Sequence, residues 1–462
     1  MQKKSPDALV IITLVLILFT LLTWIVPAGE YSREVVDGRT VVMAGTYQSV
    51  DSNPQSIGEL LVAPIKGFVG AGHIIAFVLL VGGAFSILTA TGALDAGLGS
   101  VLSFAKKNPA SKQLIIPALM VIFSLAGCTF GMSEENLVFI LVTIPLARSM
   151  GYDNLVGVAI PFLGSAAGFA GAAINPFTVG IAQGIAELPI GSGAGYRWFV
   201  WAIFTVIAIA FVMLYISKLE KYPEKRLVTN DDQVSSESGE IPVLSGPRKL
   251  VLVLFVLAII LLMYGANQLG WYIDEISALF IALGLLSAVV TRMGVTKTVN
   301  AFTQGAKDML TAAIIIGISR AVLVVAEDGK IIDTLLYAMA NGVKNLPETV
   351  SVQMMFLVQG ILNIFIPSGS GQAAITMPIM TPLADLLSIS RQSAVLAFQF
   401  GDGLLNVIIP TSGVTMGILS VAKIPYDVWL KWVWKLVLIM AIASMVFLAL
   451  PQYFSVWPSQ FG

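Results

Sequence analysis

Apolar runs separated by short polar stretches cover most of this chain, and their lengths are those of helices. The run from Ala8 to Gly29 is uncharged and has the length of about 20 residues that a helix needs to cross a bilayer. No segment shows the period-two alternation of a half-buried strand. The pattern predicts an all-α polytopic membrane protein, with further spans at residues 72–92, 111–127, 198–217, 250–271, 276–291, 309–326, 350–366 and 429–450.

Other apolar segments are interrupted by glycine and proline. Residues 155–186 carry no charge but contain six glycines and two prolines, which predicts a helix to about Ala172, an unwound stretch at 174–178 and a half-helix. Residues 392–409 with the following Pro410-Thr-Ser412 predict a second broken span. Broken backbone in an apolar setting must line a protein-enclosed or watery cavity, because lipid cannot satisfy its polar groups.

Two polar turns, around Ser133 and Ser370, interrupt apolar segments that are too short to cross a bilayer alone. Each turn is predicted to form a re-entrant helical hairpin. Pro145 follows the first serine by twelve residues and Pro382 follows the second by the same twelve. Amphipathic pieces at 94–107 and 331–343 precede the two hairpins in the same order. Paired interrupted segments in corresponding halves indicate the binding site of a secondary transporter.

This series of matching features predicts two inverted-topology repeats, residues 59–216 and 294–450. The other segments are a first transmembrane helix with an external loop (1–58), a cytoplasmic linker (217–249), two connecting transmembrane helices (250–293) and a C-terminal tail (451–462). Lys3 and Lys4 precede the first helix, so the N-terminus is expected in the cytoplasm.

Composition supports the membrane assignment and narrows the function. Hydrophobic residues make up 57% of the 462 residues and charged residues 11%, against about 25% charged residues in soluble proteins. A net charge of −1 argues against nucleic-acid binding, and a single cysteine, Cys128, excludes an internal disulfide. The single histidine, His73, excludes a histidine-rich metal site and is expected to pack within its helix rather than relay protons.

Polar residues at the turns and breaks are the candidate binding groups. Half-helix N-termini attract anions, while freed carbonyls and C-terminal ends coordinate cations. The alternative is that small hydroxyls only permit close helix packing or cap freed backbone. The candidate substrate-binding residues are Ser133, Glu134, Asn136, Asn175, Thr178, Arg320, Ser368, Ser370, Gln372, Asp402, Asn406, Thr411 and Ser412, and the candidate ion-binding residues are Ser133, Glu135, Asn175, Ser370, Asp402 and Thr411.

Four charged side chains in this set need a particular reason to lie in the membrane, since a charge at the bilayer centre costs about 2.5–3.5 kcal/mol. Asp402 and Glu134 are candidates for binding a substrate ammonium or guanidinium, a proton or Na⁺. Glu135 could instead lie at the interface or pair with a lysine. Arg320 could hold a substrate carboxylate through its planar fork or form a structural tie to Asp402 or Glu134.

Several motifs resemble one family over nearly the whole chain. They are the segments 317–322, 329–333, 366–372, 400–403, 81–85 and 174–177. The chain is similar to the C4-dicarboxylate anaerobic carrier family, and within it to the YfcC-like branch. The resemblance implies a bacterial inner-membrane secondary carrier of the ion-transporter superfamily, with hairpins meeting near the midplane and a homodimer that has separate scaffold and transport parts. Its members are described as dicarboxylate carriers, arginine/ornithine exchangers or uncharacterised permeases.

Motifs for ATP-driven transport and for catalysis are missing from the sequence. The glycine-rich turns lack the Gly-Lys-Ser/Thr ending of a nucleotide-binding loop, so a secondary transporter is expected rather than a primary pump or an enzyme. Paired hairpins in repeats favour alternating access over a channel. The only expected cofactor is Na⁺ or H⁺ as a coupling ion, and the expected partners are a small-molecule substrate, the lipid bilayer and a second copy of the chain.

The charges at the breaks predict the substrate class. Glu134, Glu135 and Asp402 are acidic, whereas Arg320 is the one cation predicted to lie deep in a helix. An amino acid offers one carboxylate and one ammonium, and a basic amino acid adds a second cation. We therefore expect an amino-acid carrier with a preference for basic substrates. A C4-dicarboxylate, with Na⁺ or H⁺ coupled to its transport, is the alternative.

Overall fold

Helices form nearly all of the regular structure in the computed structural model, which describes residues 8–36, 39–97, 100, 109–228, 243–343, 346–454 and 456–457. The first half contains α1 (Ala8–Ile25), α2 (Ile57–Gly70), α3 (Gly72–Ala90), α4 (Pro109–Phe130), α5 (Asn136–Ser149), α6 (Asn154–Ala170), α7 (Val179–Ile185) and α8 (Ala194–Lys221). The predicted all-α class is confirmed.

The second half repeats this succession after two connecting helices. It contains α9 (Gly246–Gln268), α10 (Ile273–Val290), α11 (Val295–Asp308), α12 (Leu310–Asp328), α13 (Ile332–Val343), α14 (Glu348–Phe365), α15 (Gly369–Leu386), α16 (Arg391–Leu405), α17 (Gly413–Val421) and α18 (Tyr426–Tyr453). Within the described residues, seven helices are long and apolar enough to cross a membrane: α1, α3, α8, α10, α12, α14 and α18.

Two helices were not predicted, and both are shorter than the spans, with 14 residues each against 18 or more. They are α2 and α11, which immediately precede α3 and α12. Alanine, glycine and polar residues alternate with apolar ones in both, so neither gives the long apolar run of a span. The predicted amphipathic segment at 94–107 is described only for residues 94–97, which are helical, and residue 100. Part of the predicted linker also lies outside the described residues.

The predicted external loop contains short strands, a correction to the expectation of no strands at all. β1 (Gly29–Glu30) pairs with β4 (Gln48–Ser49), and β2 (Arg33–Val36) pairs with β3 (Arg39–Val42), both antiparallel. This loop docks on the second half of the chain. Its Arg33 forms a 2.9 Å ion pair with Asp333 of α13, and Tyr47 stacks on Tyr337 with ring centroids 4.0 Å apart.

Helices of the two halves pack on each other in a reciprocal way: contacts from the first half to the second have matching contacts in the opposite direction. α2 packs on α12, where Gly67 leaves no space for a side chain beside the Gly317 carbonyl, and α11 packs on α3, where Gly305 lies equally close to the Gly82 carbonyl. Likewise α7 packs on α15, and α5 packs on α17. Two repeats related by a two-fold axis would produce such an exchange. The inverted orientation of the repeats stays a prediction.

The expectation that His73 packs inside its helix is wrong. Its side chain is 77% exposed, and its Nδ1 lies 2.8 Å from Asp274 Oδ1 at the start of α10. His73 is the second residue of α3, where the first turn is not covered by the helices around it.

Candidate functional site

A cavity of about 220 Å³ lies where the two polar turns meet the two helix breaks. One wall is formed by α12 and by the connections between α2 and α3 and between α9 and α10. The sequence-predicted residues that line it are Ser133, Glu134, Glu135, Thr178, Arg320, Ser368, Ser370, Asn406, Thr411 and Ser412. Residues more than 270 positions apart in sequence therefore share one cavity.

The first turn, residues 131–135, is shaped by a glycine. α4 ends at Phe130, and Gly131 follows with φ +72°, a conformation that favours glycine because it has no Cβ. A Cβ there would lie 2.7 Å from Asn175 Nδ2. The turn is then closed from inside, since the Ser133 N–H donates to Glu135 Oε2 at 3.1 Å and Asn136 Nδ2 donates to the Ser133 carbonyl at 2.8 Å.

The second turn, residues 366–368, and the start of α15 approach the break between α6 and α7. α15 begins after Ser368, whose Oγ accepts from the Gly371 N–H at 3.4 Å. A Cβ on Gly369 would lie 2.5 Å from the Thr178 methyl and 2.9 Å from Asp402 Oδ2. Glycine thus allows this turn to contact both breaks at once.

Four helix N-termini meet at the cavity. The residues that directly precede α5, α7, α15 and α17 all line it: Glu135, Thr178, Ser368 and Ser412. Each N-terminus carries a partial positive charge and free N–H groups. Their convergence makes the cavity attractive to an anionic group, as expected from the broken spans.

The two turns differ in charge. The twelve-residue spacing to the shared proline aligns Ser133 with Ser370, and so places Glu134 and Glu135 opposite Gly371 and Gln372 in the sequence. Only the first turn carries carboxylates. Neither of them pairs with a lysine in the described residues, so the lysine alternative for Glu135 is not supported there.

Arg320 lines the cavity from α12 without an ion pair in the part of the chain that the structure describes. Its Nε is buried and has no hydrogen-bond partner there. The proposed structural tie to Asp402 or Glu134 is therefore not formed in this conformation. A guanidinium that faces a cavity in this way is free to bind a carboxylate.

Four predicted residues lie beside the cavity rather than in its wall. Asp402 is 0% exposed; its Oδ1 accepts from Asn406 Nδ2 at 3.4 Å, and its Oδ2 has no donor among the described residues.

The other three residues have partners within the described residues. Asn175 accepts from the Phe177 N–H at 2.9 Å. Gln372 points away and donates to Gln359 Oε1 at 2.7 Å, and Asn136 donates to Ser165 Oγ at 2.8 Å.

Several buried polar atoms at this site lack a partner within the described ranges. They are Thr178 Oγ1, Ser319 Oγ, Arg320 Nε, Asp402 Oδ2 and Thr411 Oγ1. Buried polar groups are paired in the great majority of cases. Their concentration at one cavity is what a site for a polar solute requires, because the solute supplies the missing partners.

Sequence reasoning missed the aromatic part of the wall, which includes Phe177, Trp271 and Tyr272. The last two lie in the short connection between α9 and α10, where nothing in the local pattern indicates a site. It also missed a second deep cation. Arg197 of α8 is 0% exposed and donates to the Ser192 carbonyl and to Gln392 Oε1, both at 2.8 Å.

Comparison with known proteins places this chain in a family. A family model described as C4-dicarboxylate anaerobic carrier matches residues 5–453. A protein of Escherichia coli (strain K12) named "Putative basic amino acid antiporter YfcC" is 35% identical, over 92% of both chains. An uncharacterized protein of Haemophilus influenzae is 28% identical, over 94% of this chain and 95% of its own.

Two solved structures of transporters are distantly similar. The YdaH transporter of Alcanivorax borkumensis has a TM-score of 0.44 at 17% identity, covering 98% of this chain and 100% of that one. MtrF of Neisseria gonorrhoeae, from a class of antimetabolite efflux pumps, has a TM-score of 0.43 at 17% identity, covering 99% and 96%.

Proposed function

Because this chain belongs to the C4-dicarboxylate anaerobic carrier family, a family of membrane transporters, we propose that it carries amino acids across the membrane, with a preference for basic ones. Transport is secondary, by exchange or by coupling to an ion. The single observation that carries the proposal is the unequal charge of the two turns, since acidic groups occur at the first and not at the second.

The substrate carboxylate is placed at the second turn and α17. Ser368 and Ser412 cap two helix N-termini there, and each N-terminus stabilises an anion by about 0.3–1 kcal/mol, or up to about 2 kcal/mol when partly buried. α12 packs against the start of α17, since a Cβ on Gly413 would lie 3.2 Å from Ile316 Cα. Arg320, one helical turn after Ile316, supplies the charge that a carboxylate needs.

The substrate cations are placed at the first turn. Glu134 lines the cavity and is half-buried, and Glu135 lies beside it with 7% exposure. Two carboxylates with no cationic partner among the described residues favour a positively charged ligand, because burial without a counter-charge is costly. An α-ammonium can use one of them and the side-chain cation of a basic amino acid the other.

A coupling ion is assigned to Asp402. This wholly buried carboxylate has no cation next to it in the described residues, and one of its oxygens has no donor. It lies between the second turn and Thr178, where a proton or Na⁺ could neutralise it. An ion at this point would change the contact between the two halves and so couple its own binding to that of the substrate.

Three further proposals rest on the family resemblance and on charge. The protein is placed in the inner membrane of a bacterium. Its N-terminus is placed in the cytoplasm because Lys3 and Lys4 precede the first span. It is proposed to act as a homodimer. The Escherichia coli relative is named "Putative basic amino acid antiporter YfcC", and this name agrees with the substrate proposed from the site.

A C4-dicarboxylate is the second candidate, and the four converging helix N-termini with Arg320 favour it. The two carboxylates of the substrate would then lie close to those of Glu134 and Glu135 and repel them. Na⁺ would have to offset that repulsion, so binding of a dicarboxylate should depend strongly on Na⁺.

A thermal-shift panel tests the proposal. Purified protein is heated with arginine, ornithine, lysine, a neutral amino acid, succinate or fumarate, each with and without Na⁺. A ligand that binds only the folded protein stabilises it by about 2.7 kcal/mol at one hundred times its Kd. The basic amino acids should raise the melting temperature most. A shift with succinate or fumarate, and none with arginine or ornithine, would overturn the assignment.

A further inference from the structure

Three aromatic side chains form one side of the cavity, next to the acidic turn. Phe177 comes from the break in the first repeat, and Trp271 and Tyr272 come from the connection between α9 and α10. The rings of Phe177 and Tyr272 lie 5.0 Å apart, centroid to centroid, with an interplanar angle of 34°. This wall therefore joins an element of a repeat to an element outside both repeats.

The connection between α9 and α10 holds its two rings in fixed positions. Gly270 turns the chain with φ +68°, and the Trp271 N–H donates to the Gly265 carbonyl at 3.0 Å. The indole covers Gly265 so closely that no Cβ fits there. The Tyr272 N–H donates to Glu275 Oε2 at 3.0 Å. These contacts place both rings at the wall of the cavity.

Tyr272 also lies near the carboxylates of the first turn. The neighbouring Glu134, then burial, then Glu135 raise the pKa of its phenol. The phenol therefore stays protonated and presents a neutral ring and a hydroxyl donor next to the acidic group.

We propose that Tyr272 and Phe177 determine specificity, by holding the cationic side chain of the substrate against their rings while Glu134 supplies the opposite charge. The inference rests on the proposed amino-acid transport and adds to it which residues separate basic amino acids from neutral ones. Trp271 lines the same side of the cavity and packs on Gly265.

The physical basis is the attraction of a cation to the face of an aromatic ring. This attraction is largest where water is excluded, and the planar guanidinium stacks on rings better than an ammonium does. Arginine should therefore be favoured over lysine, and both over citrulline. Citrulline keeps the shape of arginine, but its side chain is uncharged.

Competition assays separate the contribution of the aromatic rings from that of the Tyr272 hydroxyl group. Wild-type protein and the variants Tyr272→Leu, Tyr272→Phe and Phe177→Leu are reconstituted in vesicles, and labelled arginine uptake is competed with arginine, lysine or citrulline. The two leucine variants should lose about tenfold in affinity for arginine and keep their affinity for citrulline. Tyr272→Phe should retain most of the preference, because the ring remains.

Tyr264→Ala is the matched control, since Tyr264 is an exposed aromatic residue of α9 outside the cavity and its removal should change nothing. The inference is overturned if both leucine variants lose affinity for arginine and citrulline equally, or if the ratio of these two affinities is the same as in the wild type. If wild-type protein takes up none of these amino acids, the proposed function itself fails. If one leucine variant does not fold, the other still decides the outcome.

Discussion

At the residue level, four charged side chains at the cavity form no ion pair within the described residues. Glu134, Glu135 and Asp402 lie at or beside the cavity without a cation in ion-pair contact, and the Nε of Arg320, which faces the same cavity, has no hydrogen-bond partner. Sequence reasoning could find them because a charge in an apolar segment stands out.

Arg197 shows where that reasoning stops. It is the fourth residue of α8, directly before the predicted span. Partners that are distant in sequence surround it, among them Gln392 at 2.8 Å and the ring of Trp457. Trp271 and Tyr272 were missed for a similar reason. Their role at the cavity comes from packing between segments that are distant in sequence, and no local pattern encodes it.

Variants that lack one charge each test the roles proposed for the first turn, which binds the substrate cations, and for Arg320, which binds the substrate carboxylate. Glu134→Gln should weaken binding of arginine and ornithine about tenfold to a hundredfold, which corresponds to the 1.5–3 kcal/mol of a hydrogen bond to a charged group, and should affect neutral amino acids less. Arg320→Gln should weaken binding of all amino acids, because every one has a carboxylate. Isothermal titration measures both effects.

Lys297→Gln is the control for loss of a charge, since Lys297 is exposed on α11. It should bind all substrates as the wild type does. The assignment of the two ends is contradicted if Glu134→Gln and Arg320→Gln weaken arginine and alanine by the same factors.

At the scale of elements, long apolar runs, broken spans and the amphipathic segment at 331–343 could be predicted, while the helices α2 and α11 could not. The predicted break at 174–178 lies between α6 and α7, and the predicted break after residue 409 lies between α16 and α17. Proline and glycine determine these breaks locally. α2 and α11 were missed because their stability comes from packing on the opposite half, which hydropathy does not record. The strands of the external loop depend on pairing with one another and on α13 in the same way.

Gly369 tests the packing of the second turn. Gly369→Ala puts a methyl group 2.5 Å from Thr178 and 2.9 Å from Asp402 Oδ2, so the turn must shift. Overpacking of this kind costs about 1–3 kcal/mol, and we expect a lower melting temperature and weaker substrate binding. Gly184→Ala in α7 is the control, because a Cβ there meets nothing within 4 Å. A Gly369→Ala protein as stable and as active as Gly184→Ala would show that the turn is loosely packed.

At the scale of the whole molecule, the cavity draws on both halves of the chain and on the connection between them. The exchanged contacts of α2 with α12 and of α11 with α3 tie the halves together. In secondary transporters built from two repeats, alternating access comes from movement of one part against the other around a site between them, and the cavity here lies between the two halves in this way.

Counterflow in vesicles tests the central claim most directly. Purified protein is reconstituted, the vesicles are loaded with unlabelled ornithine, an inward or outward ion gradient is imposed in parallel samples, and uptake of labelled arginine is followed without ATP. Uptake is expected to be saturable and to require internal amino acid or an ion gradient, and succinate is expected not to compete with it. Uptake that needs ATP, or exchange of succinate in vesicles that take up no arginine, would contradict it.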